Sequence, residues 1–475
     1  MKKLILILLS SLLAVTALQG AKQKNVLLIC VDDLRPELAS FDAPWVISPN
    51  IDKLSDMGRP FHSHYVNAPS CGPSRHTLLT GRYGASGNDA LFLRAKELAK
   101  DPKAAPPSMP EWFKQFGYTT VSVGKVSHHP GGRGGPDWDD EGVIEMPEAW
   151  DKHLCPIGEW QHPRGIMHGL ANGEIRKNAE DMDVLQATEG PDTIYPDGII
   201  AVEGLKQLEE LASDKDTPFF LAIGLIKPHL PFGAPKKYLD MYPEDLKLPP
   251  IKFYKQPEGL NTWHKSGEFM KYNRWGRDPN EDREFADIVR LYYAACVTYA
   301  DMHIGQIMAK LKETGADKNT IVVVWGDHGW HLGEHHIWGK HALYEESLRS
   351  PLIIYEPGMQ NPGKKANGNV ATLDVFPTLC EMAGLPVPEF AQGKSLAPML
   401  ENPNSKGHPV YGYRGRQGLT VRTNTHRMIL HPKGEVELYD HRTPEKETKN
   451  VADADPKTVA RLKRLLKKEF GERVD

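Results

Sequence analysis

Cys71 opens a short segment in which a nucleophile, a helix start and a cation lie close together. The segment reads Cys71-Gly72-Pro73-Ser74-Arg75. A proline just inside a helix start predicts that a helix begins here and directs its free N–H groups towards Cys71, where an anion is stabilised. A cysteine at a helix start beside Arg75 is also expected to have a lowered pKa. The segment therefore predicts nucleophilic chemistry next to an anion.

Further ionisable residues follow four short apolar runs that are rich in β-branched residues. The runs and the residues after them are 26–31 before Asp32-Asp33, 119–123 before Gly124-Lys125 and His128, 219–226 before Lys227-Pro228-His229, and 321–325 before Gly326-Asp327-His328. Short apolar runs bounded by turns are typical of strands that are buried on both faces. Helix-like stretches at 108–116, 198–211 and 285–314 separate the runs, so the chain is expected to adopt an α/β fold.

The placement of these residues predicts a single site. In open α/β sheets, ligands bind beyond the carboxyl ends of the strands. We therefore expect convergence of the residues after the four strands, namely Asp32, Asp33, Lys125, His128, His229, Asp327 and His328. The alternative is that loops after strands are simply polar.

Two long stretches, 128–196 and 241–283, lack clear periodicity and are rich in Gly, Pro, Trp and His. Loops of this length in a compact domain are usually functional, so both are expected to select the substrate.

Beyond the Pro-rich and Asn-rich segment 386–409, residues 410–430 and 435–439 are predicted to form short antiparallel strands, and 457–470 an amphipathic helix. The predicted domains are a catalytic domain at 22–390 and a C-terminal subdomain at 391–475.

The amino terminus has the pattern of an export signal. Met1-Lys2-Lys3 precede the apolar run 4–18 and the small residues Gly20-Ala21, so residues 1–21 are predicted to be a signal peptide. The protein is expected to be periplasmic or secreted. No later apolar run is long enough to span a bilayer, which argues against integral membrane association.

Bulk composition excludes one class of partner and leaves disulfides open. The net charge of −4, from 58 basic and 62 acidic residues, gives no sign of nucleic-acid binding. An odd count of five cysteines leaves at least one outside any disulfide framework. Cys30 and Cys296 are interpreted as buried core residues.

The Cys71 segment, followed by Leu79-Thr80-Gly81-Arg82, resembles the C-x-P-S-R and T-G-R signature of the type I, formylglycine-dependent sulfatases. The resemblance is closest to the iduronate-2-sulfatase-like branch. Further matching pieces are 25–28, 32–36, 48–52, 124–126 with His128, 227–229, 327–330, 332–335 and Lys340. The resemblance implies an alkaline-phosphatase-like core with a large, mostly parallel mixed sheet between helices. It also implies a smaller C-terminal α+β subdomain with a short antiparallel sheet.

The resemblance implies a metal site at Asp32, Asp33, Asp327 and His328, together with the modified Cys71. Three carboxylates suit a hard cation, so Ca²⁺ is expected and Mg²⁺ is the second choice. His328 stands where most type I sulfatases have Asn, as in the iduronate-2-sulfatase-like branch. The alternative for Asp32-Asp33 is simple capping of a strand end.

Family membership also implies that Cys71 is oxidised to formylglycine. The modifying protein is either a formylglycine-generating enzyme or an anaerobic sulfatase-maturating enzyme. One hydroxyl of the hydrated aldehyde then attacks sulfur, while the metal and nearby cations stabilise the charge. By resemblance, Arg75 and Lys125 steady the hydrate and the metal site.

Three residues complete the implied machinery. Lys340 and His229 bind sulfate oxygens and protonate the leaving alcohol. His128 acts as the base that removes a proton from the second hydroxyl, so that sulfate is expelled, and the adjacent His129 is the alternative base. Lys125, His229, Lys340 and Trp330 are the predicted substrate-binding residues.

The resemblance implies a sulfated carbohydrate substrate, with exo action on a 2-O-sulfated uronic acid or a similar polysaccharide fragment. Four tryptophans in the long stretches either stack on sugar rings or anchor loops: Trp138, Trp160, Trp263 and Trp275. Two alternatives stay open. One is a phosphonate or phosphate ester hydrolase of the same superfamily, and the other is an inactive protein that binds sulfated glycans.

Overall fold

The structure, a computed structural model, describes residues 23–257, 262–415 and 418–471, so the predicted signal peptide lies outside the described residues. In chain order the strands are β1 (Asn25–Val31), β2 (Arg59–Phe61), β3 (His64–Tyr65), β4 (Thr119–Gly124), β5 (Arg133–Gly134), β6 (Asp140–Ile144), β7 (Lys152–Leu154), β8 (Leu185–Thr188), β9 (Phe219–Leu225), β10 (Phe232–Pro235), β11 (Thr320–Gly326), β12 (His331–Leu332), β13 (Trp338–Gly339), β14 (Leu352–Tyr355), β15 (Val370–Ala371), β16 (Val410–Arg414), β17 (Gly418–Arg422), β18 (His426–Leu430) and β19 (Val436–Asp440). The helices are α1 (Pro49–Met57), α2 (Cys71–Thr80), α3 (Ala90–Lys100), α4 (Met109–Gln115), α5 (Pro163–Met167), α6 (Pro196–Ser213), α7 (Lys236–Leu239), α8 (Arg283–Glu313), α9 (Glu345–Leu348), α10 (Val375–Met382), α11 (Ala397–Glu401) and α12 (Pro456–Phe470).

The central sheet joins seven of these strands in the order β2-β14-β11-β1-β9-β4-β7. β1 pairs in parallel with β11 on one side and with β9 on the other, and β4 and β7 extend the parallel array. β14 runs antiparallel to β11, and β2 runs antiparallel to β14. The predicted mixed, mostly parallel sheet is confirmed. The edge strands β2 and β7, and β14 next to β2, are too short to be predicted from the sequence.

Both faces of the sheet are buried, as the continuous apolar runs predict. In β1, Leu27 and Ile29 belong to one core, which contains residues of α6 and α8. Val26 and Leu28 belong to the core on the opposite face, which contains residues of α2, α4 and α10. The sheet therefore lies between two helical layers and forms the rigid support for the residues that follow its strands.

A second, antiparallel sheet forms near the carboxyl terminus. Its order is β16-β17-β18-β19, with each strand paired to the next. α12 packs on this sheet through the buried side chains of Leu462 and Leu466, which share a core with Val421 and Met428. The predicted C-terminal α+β unit is confirmed, while the exact boundary between residues 390 and 391 stays a prediction.

The long stretches that lack periodicity contain short elements. Residues 128–196 include β5 to β8 and α5, and β7 joins the edge of the central sheet.

Cys30 and Cys296 are buried in the cores, and all five cysteines are free. Within the described residues, every helix is too short or too polar to cross a bilayer.

Candidate active site

The residues that follow the four central strands lie at one edge of the sheet. Because β1, β4, β9 and β11 are parallel neighbours, their carboxyl ends lie side by side. Gly124, at the end of β4, has a φ of +75°, and an added Cβ would lie 2.4 Å from the carbonyl oxygen of Gly224. Only glycine permits this conformation and this approach. The chain can therefore turn at the sheet edge and place Lys125 beside Asp32.

Helix α2 brings Cys71 to the same edge. The helix begins at Cys71, as the sequence predicts, and the Cys71 side chain is buried. Gly72 N–H donates to Asn88 Oδ1 at 3.1 Å, and a Cβ on Gly72 would lie 2.3 Å from Asn88 Cα. The close packing of the chain at Asn88 against this helix start therefore requires glycine after the cysteine.

Carboxylates and an imidazole surround the Cys71 sulfur. His328 Nε2 lies 3.2 Å from Cys71 Sγ and 3.2 Å from Asp33 Oδ1. Donor atoms of Asp32, Cys71, Asp327 and His328 all lie within 4.8 Å of one another. Three buried carboxylates beside one imidazole are chemically suited to hold a divalent cation.

Three cations neutralise part of this buried negative charge. Arg75 Nε donates to Asp327 Oδ2 at 3.0 Å, and a second guanidinium nitrogen lies 3.3 Å from Asp32 Oδ1. Lys125 forms an ion pair with Asp32, and Lys340 Nζ lies 2.8 Å from Asp33 Oδ1. Arg75 is therefore directed at the carboxylates rather than at the Cys71 sulfur.

The pKa values of the three carboxylates show how strongly burial opposes their charged forms. Burial, followed by the charge of Asp32, raises the pKa of Asp327 to about 7. Burial raises the pKa of Asp33 well above its usual range, even though Lys340 lowers it. Burial also acts on Asp32, but Lys125 and then His229 and Arg75 hold its pKa well below the ordinary value. A bound cation would stabilise the charged forms of Asp33 and Asp327, so the donor set fits a metal.

The pKa of the Cys71 thiol differs from the sequence expectation. Burial, and then the charge of Asp32, raise this pKa well above its ordinary value. The expected lowering was wrong because the Arg75 guanidinium is paired with Asp327 and Asp32 and the Cys71 side chain is buried. The unmodified thiol is consequently a poor nucleophile.

Lys340 and His229 flank the sulfur in different protonation states. Lys340 Nζ lies 3.5 Å from Cys71 Sγ, and although burial lowers its pKa, Asp33 raises it well above the ordinary value. His229 Nδ1 is 2.7 Å from the Leu230 carbonyl oxygen, so Nδ1 carries the hydrogen and Nε2 is free. Burial and then Lys340 hold the pKa of His229 well below its usual value. Lys340 is therefore charged and His229 is neutral.

His128 and His129 have different surroundings. His128 lines the cavity over Cys71, and its buried Nδ1 atom has no hydrogen-bond partner. His129 Nδ1 lies 2.8 Å from the Arg133 carbonyl oxygen, and its ring stacks on Trp138 at 3.8 Å. Of the two imidazoles, His128 is the one that lines the cavity.

The cavity above Cys71 has a volume of about 540 Å³. Its lining includes the four predicted residues Cys71, His128, His229 and Lys340. Residues that sequence reasoning missed also line it: His168, Arg176, His264, Glu268, Lys271, His341 and Arg414. They come from the two long stretches, the loop after Lys340 and the C-terminal sheet, so no local pattern connects them. The C-terminal unit thus contributes to the cavity wall.

Trp330 and Lys125 lie away from the cavity. Trp330 is fully buried, and Lys340 Nζ lies 5.3 Å from the centroid of its indole ring. The indole therefore positions Lys340, in contrast to the expected direct substrate contact. Lys125 is likewise fully buried against Asp32. Of the four tryptophans considered above, Trp138 lines the cavity.

Glu145 lies beneath the His128-His129 loop and provides a pH-dependent prediction. It accepts from the His129 backbone N–H at 3.1 Å, and burial raises its pKa from 4.5 to about 7. Because the folded state holds this proton more tightly than the unfolded state, stability falls as pH rises from about 4.5 to about 7. Replacing Glu145 by Gln removes this loss, which amounts to at most about 3 kcal/mol.

The measurement is urea unfolding of the wild type and Glu145→Gln at about pH 4 and about pH 8. The variant is expected to gain stability relative to the wild type at the higher pH. A difference between the two proteins that stays constant with pH would show that Glu145 is not perturbed by burial.

Two family profiles match the chain. The sulfatase profile matches residues 24–385, which contain the whole central sheet and the Cys71 cluster. The profile of the N-sulphoglucosamine sulphohydrolase C-terminal region matches residues 333–474, which contain the antiparallel sheet and α12.

Individual relatives agree with these profiles. A sulfatase of Formosa agariphila is 31% identical, with 90% of this chain and 83% of that protein covered. Iduronate 2-sulfatase of Homo sapiens is 30% identical, with 81% of this chain and 76% of that protein covered. The structure of a phosphonate monoester hydrolase from Silicibacter pomeroyi superposes on this chain with a TM-score of 0.71 at 23% identity. The superposition covers 95% of each chain and shows that the two proteins share a fold. The chain thus belongs to the sulfatase family and is a sulfuric ester hydrolase.

Proposed function

We propose that the protein removes sulfate from a carbohydrate, at a 2-O-sulfated uronic acid or a similar sugar at the end of a chain. The observation that carries the proposal is the arrangement around Cys71. The sulfur of Cys71 lies on the floor of a cavity, 3.5 Å from a charged lysine and 3.2 Å from His328. We propose that this sulfur marks the position of a formylglycine.

A formylglycine made from Cys71 accounts for the chemistry better than the thiol does. The pKa of the buried thiol is raised, so little thiolate is present to attack. When hydrated, the aldehyde supplies one hydroxyl to attack sulfur and a second through which the sulfate group is released. Maturation requires a formylglycine-generating or an anaerobic sulfatase-maturating enzyme, in keeping with export through the predicted signal peptide.

We assign Ca²⁺ to the carboxylate cluster, with Mg²⁺ as the second choice. Asp32, Asp33, Asp327 and His328 would hold the ion together with the modified Cys71. When bound, the cation withdraws charge from the sulfuryl oxygens in the transition state. Arg75 and Lys125 keep the carboxylates in place, because each donates to Asp32 or Asp327 from a fully buried position.

Lys340 and His229 bind the sulfate group from the cavity side. Lys340 is charged, so it stabilises the sulfuryl oxygens and holds a proton close to the leaving alcohol. Neutral His229 has no hydrogen on Nε2, so it can donate there only after it takes up a proton. We therefore assign the proton of the leaving alcohol to Lys340. His229 would bind a sulfate oxygen through Nε2 once that atom is protonated, which the approach of the anionic sulfate favours.

His128 is the proposed base of the release step. Burial, followed by the charge of Lys125, holds its pKa well below the ordinary value, so the ring is neutral and can accept a proton. Its ring lines the cavity that Cys71 also lines, and its Nδ1 has no hydrogen-bond partner. His129, which is bonded to the Arg133 carbonyl and stacked on Trp138, is less available.

The cavity wall supports an anionic sugar as the substrate. Arg176, Lys271 and Arg414 contribute cationic side chains to the lining, and Trp138 contributes an aromatic one. Iduronate 2-sulfatase, one of the relatives above, matches over most of both chains. A 2-O-sulfated uronic acid carries both a sulfate and a carboxylate, and this pair of anionic groups suits a cavity with cationic side chains.

The test is sulfate release from defined sulfated disaccharides by the natively exported protein. A terminal 2-O-sulfated uronic acid is expected to be hydrolysed faster than the matched 6-O-sulfated or N-sulfated disaccharide. Nitrophenyl sulfate is expected to react faster than nitrophenyl phosphate. Faster phosphate turnover would favour the phosphatase or phosphonatase alternative, whereas binding without turnover would favour an inactive glycan-binding protein.

A further inference from the structure

A second cluster of potential metal ligands joins the segment between His328 and Lys340 to helix α9. It consists of His331, His335 and Glu346, and the donor atoms of all three lie within 4.8 Å of one another. His331 Nε2 is 3.7 Å from Glu346 Oε2, and His335 Nε2 is 3.5 Å from the same oxygen. No part of the sulfate chemistry proposed above uses these side chains.

The cluster contains polar atoms that are buried without hydrogen bonds. Both histidines are 0% exposed. His331 Nε2, both ring nitrogens of His335 and Glu346 Oε2 are without hydrogen-bond partners. An unsatisfied buried polar group costs about 1–3 kcal/mol, so several of them at one point indicate a missing ligand.

The hydrogen bonds of His331 leave its Nε2 atom free to bind a metal. Its Nδ1 lies 3.2 Å from the Gly339 carbonyl oxygen and 3.0 Å from Ser347 Oγ. The carbonyl can only accept, so its contact requires the hydrogen on Nδ1, and the Ser347 hydroxyl can accept the same hydrogen. Nε2 then has a lone pair that faces Glu346. A carbonyl oxygen that fixes the imidazole tautomer in this way is typical of histidines that bind metals.

A neighbouring cluster of similar composition shows what an ion-pair network looks like in this fold. Glu345, His441 and Glu447 also bring their donor atoms within 4.8 Å of one another. Their carboxylates, however, accept from arginines: Arg427 donates to Glu345 at 2.8 Å and also contacts Glu447. That cluster is satisfied by arginines, whereas Glu346 faces only the two imidazoles among the described residues, at 3.5 and 3.7 Å.

We propose that His331, His335 and Glu346 form a second metal site, specific for Zn²⁺ or a similar transition metal. Two imidazoles and one carboxylate form a typical zinc ligand set, whereas Ca²⁺ prefers oxygen ligands alone. Donors bound tetrahedrally at about 2.0–2.1 Å are separated by about 3.4 Å. The two observed donor separations of 3.5 and 3.7 Å are therefore close to those of an assembled site.

A separate cavity lies beside the site. It has a volume of about 550 Å³ and is lined by His335 and Glu346, together with Arg35 and Glu334. The metal would therefore enter without passing through the active-site cavity. A fourth position, taken by water, would face this cavity.

The site would connect the active-site loop to helix α9. His331 pairs with Gly339 in the β12–β13 hairpin, and Lys340 follows directly after Gly339. Glu346 lies in α9, on the other side of the bound ion. Zn²⁺ would therefore hold the hairpin that leads to Lys340, as a structural ion and not as a reactant.

The test measures zinc binding in calcium-containing buffer, on full-length protein in which Cys71→Ser removes the active-site thiol. We expect one Zn²⁺ per chain by calorimetry and a rise in Tm on zinc addition. His335→Gln and Glu346→Gln should each weaken zinc binding by at least about 100-fold, which is the upper limit for loss of a group that only orients a metal ligand. Co²⁺ in place of Zn²⁺ should give the visible absorption of a four-coordinate site.

His336→Gln is the matched control, because its ring packs on Tyr254 outside the cluster. It should keep full zinc affinity. The zinc-free Tm of each variant shows whether the fold is intact. The proposal would be overturned by equal zinc affinity in all variants or by the absence of zinc binding. It would also be overturned if His335 and Glu346 shared a proton and took up no metal. None of these results depends on sulfatase activity, so they leave the proposed function untouched.

Discussion

Cys71→Ala is expected to reduce kcat by at least about 10⁴-fold, because removal of a catalytic nucleophile typically costs this much or more. Binding of a sulfated ligand should change by only a few-fold, since Lys340, His229 and the carboxylate cluster remain. The measurements are steady-state turnover of the best sulfated disaccharide and calorimetric binding of the same compound to the inactive variant.

Cys380→Ala is the matched control. Cys380 is also a buried, free cysteine, but it lies in α10 within the apolar core and does not line the cavity. Its replacement should lower stability slightly and leave kcat unchanged. Substantial turnover by the Cys71→Ala protein would contradict the assignment of the nucleophile.

Asp327→Asn is expected to abolish both turnover and the stabilisation of the protein by calcium. Asp327 accepts from Arg75 and from the Asp33 backbone N–H, and it belongs to the donor cluster around Cys71. Loss of one carboxylate removes a charged ligand from a hard-cation site. For the wild type, Ca²⁺ at about 100 times its Kd should add about 2.7 kcal/mol to the free energy of unfolding.

The measurement is Tm as a function of calcium concentration, compared with magnesium, for wild type and variant. Asp301→Asn is a suitable control because Asp301 is another buried carboxylate, which accepts from the backbone N–H groups of Asn50 and Ile51 at the start of α1. It should lower Tm equally with and without calcium. A normal calcium response in Asp327→Asn would remove Asp327 from the metal site.

The central strands could be predicted from sequence because each is a continuous apolar run with a polar end. β1 and β11 are buried on both faces, so no polar alternation obscures them. β7 and β14 could not be predicted, since three or four residues carry too little pattern. Both are fixed by pairing with strands that are already in place, β4 and β11 respectively.

The floor of the site was predictable, and its walls were not. Asp32, Lys125 and Asp327 follow parallel strands, so topology alone brings them together. Arg176 and Arg414 are more than 200 residues apart in the chain and meet only in the folded protein. The pKa of the Cys71 thiol depends on burial and on which carboxylates pair with Arg75, and local sequence contains neither.

The central claim is that Cys71 is a precursor of the nucleophile and not the nucleophile itself. Mass spectrometry of the peptide that contains Cys71, from natively exported and active protein, tests this directly. We predict that the cysteine is replaced by formylglycine and that the modified fraction is proportional to the specific activity. Fully active protein in which Cys71 remains an unmodified thiol would contradict it.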